Sequence, residues 1–132
     1  MRVYISHSTD DRELLGEVVK HLEAEGFDVF RDDQDIEPGE NWAAKVAKAI
    51  ESSQAMVVLL TENAAKSPWV QHDVQYALTS PRFKNRLITL LVDKSAKIPW
   101  ILKELPVIPV KRKDVSEAAK RAAEELRGVT AP

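Results

Sequence analysis

The 132-residue sequence contains no cysteine, and this absence removes several kinds of chemistry at once. Disulfide bonds, thiolate zinc sites and cysteine nucleophiles are all excluded. Glycine is also scarce, with four residues in the chain. The segment SHSTDD, which follows the first predicted strand, contains none. The lack of a glycine-rich phosphate loop argues against P-loop NTPases, Rossmann dinucleotide sites and flavodoxin-like FMN sites.

Long apolar runs and a strong net charge are missing as well. No run approaches the roughly 20 residues that span a bilayer, and the N-terminus MRVYIS lacks the apolar region of a signal peptide. A net charge of −2 gives no general attraction to nucleic acid or to anionic membranes. We therefore predict a cytoplasmic protein, with no membrane or nucleic-acid partner, that folds as a single domain over residues 1–132.

Patterns typical of metal, phosphoacceptor and hydrolase sites are not found either. The histidines are scattered, so no metal site is expected; they are His7, His21 and His72. The third predicted strand ends in LLTEN, without the aspartate that a response-regulator receiver needs. A triad of Ser6, His7 and Asp33 is conceivable, but no nucleophile elbow accompanies it. The run KRK at 111–113 is typical of a solvated strand end, since no aromatic residues interleave with it.

What the sequence does contain is a regular alternation of strands and helices. Short β-rich or apolar runs predict strands at 2–6, 27–30, 54–60, 86–92 and 105–110. Helical patterns separate most of them, which predicts an α/β fold with a parallel sheet and helices on both faces. The flavodoxin-like strand order 2-1-3-4-5 is the default for five such strands. Two prolines in LPVIPV place the last strand at a sheet edge.

Function on such a sheet is expected at the carboxyl ends of the strands. The polar segments at those ends are Ser6-His7-Ser8, Arg31-Asp32-Asp33, Thr61-Glu62-Asn63, Asp93 and Lys111-Arg112-Lys113. A further candidate lies in SPWVQHD at 67–73, where Ser67 and Pro68 predict a helix start. Trp69 and Asp73 are four residues apart and face one side of that helix.

Three segments resemble the Toll/interleukin-1 receptor (TIR) domain family, particularly its bacterial members. They are VYISHS (3–8), FRDDQDIEPGENW (30–42) and AMVVLLTENAAKSPWVQHD (55–73). They stand in the family's order and at its spacing, and the likeness runs over nearly the whole chain. The resemblance implies two classes of function. Some TIR domains are scaffolds that assemble with other TIR domains in immune signalling, whereas others are enzymes that cleave the nicotinamide–ribose bond of NAD+.

For this chain the enzyme class implies an NAD+ glycohydrolase or ADP-ribosyl cyclase that acts in signalling or defence. NAD+ would be its substrate, and no cofactor or metal would be needed. The essential glutamate of those enzymes, four residues after the helix tryptophan, corresponds to Asp73. The resemblance implies four groups of substrate-binding residues. In the order of the list that follows, they are three polar contacts, a phosphate ligand, an acidic residue at the start of the long loop, and three aromatic walls of the pocket. They are Ser6, His7, Ser8, Arg31, Asp33, Phe30, Trp42 and Trp69.

Two interpretations remain open at the level of sequence. Aspartate is one methylene shorter than glutamate, and a misplacement of roughly an ångström can lower a rate by about a hundredfold. Asp73 is therefore either a catalytic carboxylate or a partly solvated residue near a helix N-terminus. Trp42 and Trp69 are either pocket walls or residues of the core or of a hydrophobic staple. The alternative to the enzyme is a non-catalytic module that self-associates or binds other TIR domains, with the loop 31–41 as its contact surface.

Overall fold

The computed structural model describes residues 2–30, 42–83, 86–93, 102, 105–111 and 114–130, without the side chains of 42, 43, 82 and 128–130. In this part of the chain the strands are β1 (Arg2–Ser6), β2 (Asp28–Val29), β3 (Ala55–Leu60), β4 (Leu87–Leu91) and β5 (Val107–Pro109). The α-helices are α1 (Arg12–Ala24), α2 (Trp42–Glu51), α3 (Glu62–Ala65), α4 (Pro68–Thr79) and α5 (Ser116–Thr130). Short 3-10 turns cover Thr9–Asp11 and Pro81–Phe83.

The five strands form one parallel sheet in the order β2-β1-β3-β4-β5, so the predicted fold class and strand order are confirmed. All six residues of β3 are buried, because helices cover both faces of this central strand. β5 lies at the edge of the sheet as its prolines predict. In the described residues, no helix is both long and apolar enough to cross a membrane.

The core consists of two layers, one on each face of the sheet. The first packs α1 and α5 against the sheet through residues such as Leu22 and Leu126, both 0% exposed. The second packs α2, α3 and α4 against the opposite face, and it includes Tyr4, Met56 and Val74. Because side chains alternate along a strand, residues 4 and 6 of β1 both face this second layer.

Several predicted boundaries and side-chain environments need correction. A glycine after an alanine-rich segment predicts that the last helix ends at Gly128, but this helix continues to Thr130. The sequence offers two caps for the first helix, Ser8 and a capping pair of Asp10 with Glu13. In the structure Ser8 caps the first helical segment, accepting a hydrogen bond from the Asp10 backbone N–H. The apolar spacing along α4 predicts that Leu78 is buried, but this side chain is 36% exposed. The second strand is limited to Asp28–Val29, shorter than the predicted 27–30.

Candidate functional site

The helix that carries Asp73 begins where the sequence predicts. Ser67 caps α4 by accepting a hydrogen bond from the Val70 backbone N–H at 3.4 Å, and Pro68 occupies the first helical turn. The apolar residues Val70, Val74 and Ala77 bury one side of α4 against the sheet. This packing fixes the rotation of the helix, and it turns Asp73 inward toward β1.

Asp73 is a buried carboxyl group with 4% of its surface exposed. Its Oδ2 atom accepts two hydrogen bonds from β1, from Ser6 Oγ at 2.9 Å and from Tyr4 Oη at 3.3 Å. Its Oδ1 atom is buried and has no hydrogen-bond partner among the described residues. The expectation of a partly solvated helix-face residue is therefore wrong, because the packing of α4 directs this side chain into the protein.

Burial raises the pKa of the Asp73 carboxyl above its usual value of 3.8, because the low-dielectric surroundings disfavour the charged form. The hydrogen bonds from Ser6 and Tyr4 lower the pKa, and the positive fields of His72 and His7 also act in that direction. Burial is the largest of these effects. The site thus holds a carboxyl that is desolvated but supplied with donors for its ionised form.

The other predicted contacts around the end of β1 are only partly brought together. Ser6 is fully buried and contacts Asp73 directly. Ser8 is 5% exposed and acts as a helix cap. His7 is half-buried, with Nδ1 at 3.1 Å from the Ile5 carbonyl oxygen. The structure therefore joins Ser6 to Asp73 and gives Ser8 a local structural role.

The candidate aromatic walls lie in different environments. Phe30 is half-buried and stacks on Tyr4, with ring centroids 5.9 Å apart and planes inclined at 25°. Trp69 is 46% exposed, so its interpretation as a core residue is wrong, and it does not share the buried environment of Asp73 one turn later. The side chain of Trp42, and the whole of Arg31 and Asp33 with the loop 31–41, lie outside the described residues.

Two features of this edge of the sheet were missed in the sequence. Tyr4 supplies the second donor to Asp73, and its position two residues before Ser6 was an available signal for a shared face. Asp11, 6% exposed, accepts hydrogen bonds from Thr61 Oγ1 at 2.5 Å and Asn63 Nδ2 at 3.2 Å. This second buried carboxyl ties the start of α1 to the end of β3, which is a structural role.

An apolar groove elsewhere on the molecule is a weaker candidate for chemistry. It measures about 400 Å³ and is bordered by β3, α3 and α4. Its described lining contains residues such as Val74, Gln71 and Leu102, and no titratable side chain. Within the described part of the chain, no three histidine or carboxylate side chains gather closely enough to hold a metal ion. Asp73 is therefore a stronger candidate for a functional residue than the side chains that line this groove.

Comparison with known proteins identifies the family. The family model described as a TIR domain matches residues 3–127. A probable 2' cyclic ADP-D-ribose synthase, TcpO from Methanobrevibacter olleyae, is 33% identical over 72 residues, covering 54% of this chain and 21% of the relative. The NAD(+) hydrolase PdTIR from Paracoccus denitrificans is 30% identical over 73 residues, covering 54% of this chain and 24% of the relative. These matches cover about a quarter or less of each relative's length.

A solved structure supports the same fold. The TIR domain of the Toll-related receptor TRR-2 from Hydra magnipapillata superposes with a TM-score of 0.76 and 24% identity, covering 95% of this chain and 97% of that domain. The family match extends over nearly all of the sequence, and the resemblance drawn from its three motifs is confirmed. The chain belongs to the TIR domain family.

Proposed function

We propose that this chain cleaves the N-glycosidic bond between nicotinamide and ribose in NAD+, with Asp73 as the catalytic carboxylate. The observation that carries the proposal is the placement of Asp73. It lies on the helix and at the position where the resemblance puts the essential acid, and β1 holds it at the carboxyl edge of the sheet. The names of TcpO and PdTIR, which describe ADP-ribose and NAD+ chemistry, support the choice of substrate.

The reaction suits a site with a single acid. Nicotinamide is cationic in NAD+, so the bond to C1′ breaks with its electron pair moving to the nicotinamide nitrogen, and no general acid is needed. The ribose then acquires oxocarbenium character, as in other glycoside cleavages. A fixed carboxylate nearby stabilises that charge. Water attacking C1′ and losing a proton gives ADP-ribose, whereas attack by a group of the same molecule gives a cyclic product.

The burial of Asp73 supports the proposal that an aspartate can act in place of a glutamate. A buried carboxylate interacts with a developing positive charge more strongly than an exposed one, because less solvent screens it. Asp73 therefore contributes from a recessed position against β1, while the shorter side chain loses part of its reach. We expect weak activity, lower than that of a glutamate at the same position by about a hundredfold or less.

The test is NAD+ consumption and nicotinamide release at high protein concentration by the native chain, Asp73→Ala and Asp73→Glu. We expect weak native activity, none for Asp73→Ala and a gain of about tenfold or more for Asp73→Glu. The extra methylene in a packed site lowers stability by about 1–3 kcal/mol, so the assay is run well below the melting temperature. Asp28→Ala, on the exposed side of β2, is the matched carboxylate control and should retain native activity. If neither the native chain nor Asp73→Glu consumes NAD+, even when fused to a clustering domain, the proposed enzyme is refuted.

A second candidate function is that of a self-associating interaction module, which binds other TIR domains. The exposure of Trp69 favours it, because a tryptophan that is 46% exposed at the start of a helix is typical of contact surfaces. The loop 31–41 remains a proposed contact surface and lies outside the described residues. The two functions are compatible, since assembly can complete a pocket. The module alone is favoured if association persists in a chain that cleaves no NAD+.

A further inference from the structure

Tyr4 occupies a position on β1 from which it reaches the same carboxyl oxygen as Ser6. The two residues are separated by two positions, so their side chains stand on one face of the strand. Tyr4 is 6% exposed, and its register with Met56 of β3 places it inside the sheet rather than at an edge. Both hydroxyls donate to Asp73 Oδ2, at 3.3 Å from Tyr4 Oη and 2.9 Å from Ser6 Oγ.

The ring of Tyr4 is held at its other side by aromatic packing. It stacks on Phe30, and the guanidinium carbon of Arg2 lies 5.6 Å from the centre of the Phe30 ring. The backbone N–H of Phe30 donates to the Val3 carbonyl oxygen at 3.1 Å, which fixes Phe30 beside β1. The hydroxyl of Tyr4 is therefore presented to Asp73 by a ring whose orientation is set through Phe30, the last described residue before the loop 31–41.

The hydroxyl groups of Tyr4 and Ser6 are the hydrogen-bond donors that the structure shows for the Asp73 carboxyl. Oδ1 has no hydrogen-bond partner among the described residues, so Tyr4 and Ser6 are the donors that this part of the chain supplies. A hydrogen bond to a charged group contributes more than one between neutral groups. Losing either donor therefore favours the neutral carboxylic acid, which cannot stabilise an oxocarbenium ion.

We propose that Tyr4 is a positioning residue for Asp73: its hydroxyl, with that of Ser6, orients the carboxyl and maintains its ionised form. Tyr4 touches no substrate atom in this role and acts through Asp73. The role in catalysis rests on the proposed NAD+ cleavage, whereas the effect on the carboxyl itself does not. Among the described residues, the other groups whose charge reaches Asp73 are His7, from the end of β1, and His72 on α4.

The experiment follows the Asp73 carboxyl directly and then its activity. The carboxyl carbon of Asp73 is titrated by NMR in protein labelled with 13C at aspartate, with Asp73→Asn identifying its signal. We expect Tyr4→Phe to raise the pKa of Asp73, and Ser6→Ala to raise it further because its hydrogen bond is shorter. In the NAD+ assay, Tyr4→Phe should move the acidic limb of the pH–kcat profile to higher pH. It should also lower kcat by about fivefold on that limb, with little change in KM.

The second tyrosine of the chain provides the matched control. Tyr76, whose hydroxyl donates to the exposed Glu51 carboxylate at 3.4 Å, is changed to phenylalanine in parallel, and Tyr76→Phe should leave the titration and the profile unchanged. An unchanged Asp73 titration in folded Tyr4→Phe overturns the positioning role. If Tyr4→Phe raises the pKa of Asp73 but neither the native chain nor Asp73→Glu cleaves NAD+, the positioning role is supported and the proposed enzyme is refuted.

Discussion

The Asp73 carboxyl loses most of its contact with water on folding, and hydroxyl groups on β1 replace only part of that hydration. Its pKa is raised in the folded protein, so the unfolded chain releases the proton first as the pH rises above 3.8. Between that value and the higher pKa of the folded state, the folded protein binds more protons. The contribution of Asp73 to stability is therefore present in acid and is lost as the pH rises through the folded pKa.

Asp73→Asn tests this linkage because asparagine cannot ionise. We expect the melting temperature of Asp73→Asn minus that of the native chain to be more positive at pH 7.5 than at pH 4. Each kcal/mol of this change corresponds to about 4 °C. Thermal unfolding followed by circular dichroism at both pH values measures it, and Asp28→Asn serves as an exposed control. If the melting temperatures of Asp73→Asn and the native chain differ by the same amount at both pH values, ionisation of Asp73 does not destabilise the folded protein and the linkage is contradicted.

Much of the site was predictable at the scale of single residues, and the rest depends on packing. The sequence predicts Ser6 at the end of the first strand and Asp73 on a helix that follows the third strand. In the structure Ser6 Oγ donates a hydrogen bond to Asp73 Oδ2. The burial of Asp73 could not be predicted from the sequence, because it depends on how Val70 and Val74 pack α4 against the sheet. Tyr4 was overlooked because a tyrosine within an apolar strand resembles an ordinary core residue.

At the scale of elements, buried side chains connect the end of β3 to the start of α1. Thr61 Oγ1 donates to the Asp11 carboxylate and accepts from the Ala64 backbone N–H at 3.0 Å, which caps α3. One hydroxyl therefore satisfies a buried carboxylate and a helix N-terminus together. This arrangement links the carboxyl end of β3 to the segment that follows β1.

Thr61→Val removes both hydrogen bonds without a change in side-chain volume. We expect a loss of about 2–3 kcal/mol in the free energy of unfolding, because Asp11 stays buried with one donor fewer and α3 loses its cap. The matched control is Thr89→Val, since Thr89 is also fully buried but its Oγ1 has no hydrogen-bond partner among the described residues. That change should be neutral or stabilising by up to about 1 kcal/mol. Urea unfolding of the three proteins compares them, and equal losses in both variants would contradict this account.

Element boundaries were predicted less well than element order. The alternation of apolar runs determines which strands exist, and right-handed crossovers limit their order, so the sheet topology follows from the sequence. Helix ends depend on single residues and are easily displaced. Gly128 does not end α5, since a glycine ends a helix only where the chain turns away, and here the helix continues to Thr130.

At the scale of the whole molecule, the strand order determines where the site lies. The chain leaves β1 toward β2 on one side and then crosses to β3 on the other, so the crevice between β1 and β3 is the topological switch point. α1 and α4 lie on opposite faces of the sheet at this point. A carboxyl on α4 that reaches β1 is thus located where ligands of open α/β sheets bind.

The exposure of Trp69 on α4 leads to a prediction about assembly. If copies of the chain associate through Trp69, the specific activity in NAD+ cleavage should rise with protein concentration and then reach a plateau. Trp69→Ala should shift the midpoint of this rise to about tenfold higher concentration and keep the plateau, because a contact tryptophan contributes to association and not to chemistry.

The measurement combines initial rates over a wide range of protein concentration with sedimentation velocity of the same samples. Leu78→Ser is the matched control, as Leu78 is the other large exposed apolar residue of α4 and lies on the opposite side of the helix. It should leave both the midpoint and the plateau unchanged. A lowered plateau in Trp69→Ala with an unchanged midpoint would instead place Trp69 in the wall of the substrate pocket. A specific activity that is constant across all concentrations would show that one copy of the chain forms a complete site.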